Sequence, residues 1–261
     1  MMKISFCLPY SYDFSVLKNA GADGVEFSFA MIEKLSESEA QEIKKSLDKN
    51  GIEAISCNNM FPGDIKVTGE SINYERIDEY LNKAAKIASI LGIKNIVFGS
   101  CGARALDGNN TKDNAYIEMA SLLRDHVSPI FRRFGLTCSI EPLSECGVVT
   151  TLSDGKKLAK MADCDNIGVL VDYYHFMKNN EDWKELEDCS NLFHVHVASF
   201  SSGRKYPRPS DDDDYIAFVK KLRSIGYDGW ISVEGNFHSD GVTENEQIYT
   251  TTKVLKSAIN A

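Results

Sequence analysis

Three short stretches, far apart in the chain, share one construction. They are Asn-Ala-Gly-Ala-Asp-Gly-Val at 19–25, Ile-Leu-Gly-Ile-Lys-Asn-Ile at 90–96 and Ser-Ile-Gly-Tyr-Asp-Gly-Trp at 224–230. In each, a glycine closes the carboxyl end of a helical stretch, a short polar turn follows, and an apolar strand begins. A chain that repeatedly hands a helix over to a buried strand builds a parallel sheet with its helices outside.

The rest of the chain keeps this cadence. Strands are predicted at 3–9, 22–29, 52–57, 93–99, 136–141, 167–172, 193–197 and 229–234. Helices are predicted near 13–20, 36–49, 74–91, 112–133, 152–162, 182–187, 212–225 and 243–258. Pro129 must kink or divide the fourth of these, because proline removes a helical donor. Eight strand–helix units in 261 residues match the roughly 250 residues typical of a closed barrel. The expectation is one (β/α)8 TIM-barrel domain over 1–261, with an open doubly wound sheet as the alternative.

Bulk properties exclude several roles. A net charge of −9 argues against a nucleic-acid surface, which needs a basic face. No apolar run approaches the roughly 20 residues of a membrane span, and the first residues lack the pattern of a secretory signal. Seven cysteines without a Cys-x-x-Cys pair imply reduced thiols and a cytoplasmic location. The partner expected is a small molecule, with self-association into a homo-oligomer open.

Chemistry concentrates at strand ends. Leu-Thr-Cys-Ser-Ile-Glu-Pro-Leu (136–143) stops at Glu141, and Pro142 disfavours helical angles there, so the acid stays extended. Ile-Gly-Val-Leu-Val-Asp (167–172) ends on Asp172, Gly-Trp-Ile-Ser-Val-Glu (229–234) on Glu234, and Phe-His-Val-His-Val (193–197) carries His194 and His196. Catalytic groups of parallel barrels sit at these carboxyl ends. Neighbouring strands lie about 4.8 Å apart, so four such tips can share one ion. The two histidines fall on one face about 6.6 Å apart along the strand, so His196, nearer the mouth, is the ligand expected. His194 then lies behind it or in the barrel interior. Three carboxylates and one imidazole suit Mn²⁺ first, with Mg²⁺, Co²⁺ or Zn²⁺ as alternatives. The bland alternative is that each acid merely starts a polar loop.

With these motifs the chain resembles the xylose isomerase-like TIM-barrel superfamily, in its sugar phosphate isomerase/epimerase branch. The likeness rests on Ile-Glu-Pro-Leu (140–143), Asp-Tyr-Tyr-His (172–175), His-Val-His (194–196), 226–234 and Val-Phe-Gly-Ser-Cys-Gly-Ala-Arg (97–104). It implies that Glu141, Asp172, His196 and Glu234 bind one divalent metal. It also implies a carbohydrate substrate met by His175 and by Arg204. Where the family's ketose epimerases place a substrate-binding glutamate, this chain has Gly147, with Glu145 nearby.

Such a site moves a proton on carbon beside a carbonyl, with Glu141 and Glu234 as acid and base. Arg104, in a glycine-rich loop, and Glu26, on the second strand, are further candidates for substrate contact. The basic stretch 201–208 can hold a phosphate or carboxylate, or lie solvated, while Asp211–Asp214 caps the seventh helix. The leading expectation is a metal-dependent sugar or sugar-phosphate isomerase/epimerase. A lyase dehydrating a keto-polyol of the inosose type, an apurinic-site endonuclease and a non-catalytic sugar-binding barrel are the alternatives.

Overall fold

The computed structural model describes residues 1–106 and 108–261. Eight parallel strands close in sequence order: β1 Lys3–Cys7, β2 Gly24–Ser28, β3 Glu53–Asn58, β4 Asn95–Phe98, β5 Thr137–Ile140, β6 Ile167–Asp172, β7 Leu192–Val197 and β8 Trp230–Val233. Last pairs with first, Ile4 of β1 opposite Ile231 of β8. The barrel expectation holds and the open sheet is excluded.

The helices between strands are α1 Phe14–Ala20, α2 Phe29–Ile32, α3 Glu37–Asn50, α4 Tyr74–Leu91, α5 Lys112–Leu122, α6 Ser128–Phe134, α7 Leu152–Ala162, α8 Tyr173–Lys178, α9 Tyr215–Ser224 and α10 Glu244–Asn260. Gly21 and Gly92 end α1 and α4 at φ 77° and 87°, where a side chain would be strained. Each then feeds its strand within a few residues. On α4, Ile77, Leu81, Ala84, Ala88 and Leu91 are buried, a helical stripe laid on the sheet.

Pro129 divides its helix. A π-helical stretch, Leu123–Val127, separates α5 from α6, and the proline falls in the first turn of α6, where no donor is needed. The helix predicted near 182–187 is one 3₁₀ segment, Trp183–Leu186. α9 starts at Tyr215, later than expected, because only Asp214 caps it. Asp213 instead accepts from Ser199, Ser201 and the Phe200 N–H, and Asp211 from Ser202 and Arg208. The acidic run therefore pins the loop after β7.

The apolar core lies between strands and helices, whereas much of the barrel's interior is polar and paired. Ser5 Oγ lies 2.6 Å from Ser232 Oγ, and Ser139 Oγ donates to Asn95 at 2.6 Å. Register sets the functional end. Val169 of β6 stands opposite Leu192, but Leu170 stands opposite His194, so Phe193 is an extra residue. Gly168 leaves room for this bulge, since a Cβ there would meet Asn191 O at 2.4 Å and Phe193 Cδ2 at 2.6 Å. Beyond the bulge, Asp172 and His196 stand side by side, and His196 faces Ser232 on β8.

The cysteine reading needs correction. Cys101 and Cys146, 45 residues apart, form a disulfide with Cα atoms 5.3 Å apart. It ties the loop after β4 to the loop after β5, neighbours on the barrel that sequence distance conceals. Cys7, Cys57, Cys138, Cys164 and Cys189 are free. The thiol argument for a cytoplasmic location therefore falls away. Among the described residues no helix is long and apolar enough to cross a membrane.

Candidate metal centre

Glu141, Asp172, His196 and Glu234 meet at the carboxyl end of the barrel, with one potential ligand atom from each within 4.8 Å of all the others. His196 Nδ1 lies 3.1 Å from Glu141 Oε1 and 3.4 Å from Glu234 Oε2. The imidazole is fully buried, Glu141 and Asp172 are buried, and the Glu234 side chain is 19% exposed.

Local structure explains the presentation. The N–H of Glu141 is tied to Phe98 O of β4, and Arg104 Nη1 donates to Glu141 O at 2.9 Å, so two bonds fix this strand tip. Gly99 leaves space for the carboxylate: a Cβ there would sit 2.1 Å from Glu141 Oε2. Asp172 ends β6 and caps α8, its Oδ1 accepting from the N–H groups of Tyr174 and His175. Its Oδ2 is buried with no hydrogen-bond partner among the described residues. A buried carboxylate oxygen that accepts no hydrogen bond is costly. Aspartate oxygens in such a position fit a cation.

The charges say the same. Burial, then repulsion from Glu234, pushes the Glu141 carboxyl above its ordinary range. Burial pushes Asp172 up too, against the opposing pull of Arg204. Burial would keep His196 neutral, but Glu26 and Glu234 outweigh it and hold the ring well above its ordinary value. For Glu234 burial is outweighed by His196 and Arg204, which hold it down at about 2. Carboxylates thus outnumber buried cations here, and the oxygen-rich donor set suits a hard divalent ion.

Arg204 stands at the mouth, left-handed at φ 63°. Its Nη2 donates to Glu234 Oε2 at 2.7 Å and lies 3.8 Å from Asp172 Oδ2, and its Nη1 donates to His175 Nε2 at 3.0 Å. His175 is buried in the first turn of α8, with Nδ1 2.8 Å from Ser144 Oγ. Desolvation depresses its ring to about 4, so it stays neutral. The two residues expected to meet substrate therefore adjoin the four expected ligands.

Two other candidates sit deeper than the mouth. Arg104 is fully buried beneath Glu141, over the Phe98 ring, with Nε and Nη2 lacking a hydrogen-bond partner among the described residues. Burial lowers its guanidinium to about 10. Glu26 is fully buried as well, with Oε1 3.1 Å from His196 Nε2 and Oε2 2.8 Å from His194 Nε2. It lines the cavity beside the centre, as expected, but is not a lone charge: both its oxygens face histidines, which hold it below the ordinary carboxylate range despite burial. Glu145 is exposed and paired with Lys178, so it does not replace the acid absent at Gly147. In the basic stretch, Lys205 Nζ donates to Phe237 O, and Arg208 pairs with Asp240 and lies 3.7 Å from Asp211. Its cations are engaged already.

Asn58 was not anticipated. It ends β3 and donates to Glu234 Oε1 at 2.7 Å, and the strand-tip rule applied to β3 would have found it. A cavity of about 420 Å³ opens beside the centre, with Cys7, Leu8, Tyr10, Ser11, Met31 and Asn58 among its walls.

Comparison with known proteins agrees with this architecture. A family model described as a xylose isomerase-like TIM barrel matches residues 14–258. A probable ketose 3-epimerase of Synechocystis sp. (strain ATCC 27184 / PCC 6803 / Kazusa) is 22% identical over 256 residues, covering 95% of this chain and 86% of that protein. A 2-oxo-tetronate isomerase of Haemophilus influenzae (strain ATCC 51907 / DSM 11121 / KW20 / Rd) is 24% identical over 245 residues, covering 90% of this chain and 91% of that one. Among solved structures, D-psicose 3-epimerase with D-tagatose from Clostridium cellulolyticum H10 superposes with a TM-score of 0.85 at 16% identity, covering 99% of both chains.

Proposed function

This chain belongs to the xylose isomerase-like TIM barrel family, and on that premise we propose that it is a divalent-metal-dependent isomerase or epimerase of a small, uncharged keto sugar. The observation carrying this reading is the convergence of three carboxylates and one imidazole on a single point, with Asp172 Oδ2 buried and without a hydrogen-bond partner among the described residues. The kinship with a ketose 3-epimerase and a 2-oxo-tetronate isomerase supports an enzyme of the isomerase/epimerase kind.

Glu141, Asp172, His196 and Glu234 would hold the ion, Mn²⁺ by preference for a set this rich in oxygen. The chemistry it would supply is Lewis-acid polarisation of a carbonyl and neutralisation of negative charge on the oxygens beside it. Glu141 and Glu234 form the acid/base pair. One takes the proton from the carbon beside the carbonyl, and the other returns a proton to the opposite face or to the adjacent carbon. Three carboxylates exceed the charge of a 2+ ion, which leaves a carboxylate oxygen free for this work. Arg204 and Asn58 fix Glu234 from two sides. Neutral His175, braced by Ser144 on Nδ1, accepts from Arg204 on Nε2, and a substrate hydroxyl at the mouth would take the place of one of these two bonds. The charge inventory supports an uncharged substrate: among the described residues no Lys or Arg lines the adjoining cavity, and the cations of 201–208 already have partners.

Incubation with Mn²⁺ and a panel of ketoses, keto acids and their phosphates in D₂O tests this. Deuterium should enter carbon beside the carbonyl of a free ketose. Glu141→Gln and Glu234→Gln should each slow that exchange by about 10²–10⁴-fold with the fold intact. Exchange confined to phosphates would refute the uncharged substrate, and near-normal exchange in either variant would refute the pair.

A further inference from the structure

Behind the imidazole of His196 runs a buried polar chain that proton transfer does not use. His196 Nε2 meets Glu26 Oε1 at 3.1 Å, and Glu26 Oε2 meets His194 Nε2 at 2.8 Å. His194 Nε2 also lies 3.1 Å from Ser232 Oγ, which contacts Ser5 Oγ at 2.6 Å. The rings of His194 and His196 stand edge to face, with centroids 5.1 Å apart. A register shift between Val25 and Glu26 on β2 sets where this acid stands against β3.

We propose that Glu26, itself anchored by His194, is a positioning residue that locks the His196 ring with Nδ1 toward Glu141 and Glu234. An ionised carboxylate only accepts hydrogen bonds, so each ring nitrogen facing Glu26 must carry a proton. His196 is then protonated on Nε2, and the nitrogen able to ligate is Nδ1, 3.1 Å and 3.4 Å from the two glutamates. Without Glu26, either nitrogen can take the proton and the ring loses its anchor. A ligating histidine held by a carboxylate on its other nitrogen is a recurrent device for fixing tautomer and orientation. Stability alone is a poor reason for it, because buried ion pairs are often no better than apolar packing.

This inference rests on the metal reading above, and the test separates the two. Mn²⁺ is titrated into metal-stripped protein, free ion is followed by its EPR signal, and metal-free thermal unfolding is recorded alongside. Wild type should take up one Mn²⁺. Glu26→Gln, whose amide can accept from only one ring, should bind about 10–100-fold more weakly. His194→Leu should also weaken binding, and His194→Gln, which keeps an N–H donor facing Glu26, should recover most of it. Unchanged affinity in Glu26→Gln, whatever its unfolding temperature, overturns the positioning role while leaving the metal reading intact. If Glu26→Gln does not fold, equal affinities for the two His194 variants overturn it. Wild type that takes up no Mn²⁺ refutes the metal reading and this inference with it.

Discussion

Gly99→Ala separates the metal centre from the fold more cleanly than removal of a ligand. Gly99 lies outside the left-handed region, so alanine fits its backbone, and Gly→Ala in a compatible conformation gains about 0.4–1 kcal/mol of unfolded-state entropy. The added Cβ would lie 2.1 Å from Glu141 Oε2 and 3.3 Å from its Cδ, where ordinary contact begins at 3.4 Å. The carboxylate must therefore retreat by about 1.3 Å, the difference between 3.4 and 2.1 Å. Its side chain can swing, so the barrel pays little. A metal site tolerates only about 0.2 Å in its ligand distances, and a displacement of about 1 Å at reacting groups costs about 10²-fold in rate. Mn²⁺ affinity should fall at least about tenfold, and isomerisation by about 10²-fold, with the unfolding midpoint near wild type. Gly102→Ala, on the same loop, is the control, because its Cβ would meet nothing closer than Gly63 Cα at 3.6 Å. Wild-type affinity and rate in Gly99→Ala would refute the placement of Glu141 as a ligand.

Two further predictions concern protons. Asp154 opens α7, and although burial opposes its ionisation, Tyr116, Thr150 and Thr151 donate to it and hold it at about 2. Its folded value is depressed, so its contribution is complete above the unfolded value of about 3.9 and is lost as pH falls toward 2. Asp154→Asn should cost about 2 kcal/mol at neutral pH and flatten the acid limb of a denaturant-measured stability profile; an unchanged limb would contradict this. In the metal-free centre, His196, Glu141 and Asp172 all hold protons more tightly than free side chains do. Ligation requires them deprotonated, so Mn²⁺ affinity should rise from about pH 6 to about pH 8 with proton release, read by calorimetry in buffers of different ionisation enthalpy. Affinity that is flat across this range, without proton release, would oppose the assigned ligand set.

The barrel was legible because its signals are local. Glycine stops, short turns and apolar runs each occupy a few residues, and their repetition leaves few topologies. Glu141, Asp172, His196 and Glu234 were legible for the same reason, since the end of a strand can be read without knowing its neighbours. Facing direction was not. Glu26 and Arg104 read only as candidates for substrate contact, yet two histidines of β7 take both oxygens of one and the loop after β4 folds the other beneath Glu141. α8 escaped notice because its cap is Asp172, a residue already assigned to chemistry, and its six residues have no helical period. The disulfide was hidden because Cys101 and Cys146 become neighbours only when β4 and β5 pair.

Anomalous diffraction at the manganese edge, from crystals grown with Mn²⁺, bears most directly on the assignment of Glu141, Asp172, His196 and Glu234 to one ion. The account predicts a single strong peak within about 2.0–2.3 Å of a carboxylate oxygen from each acid and of His196 Nδ1. A peak held by other residues, or none at this position at saturating Mn²⁺, would contradict it.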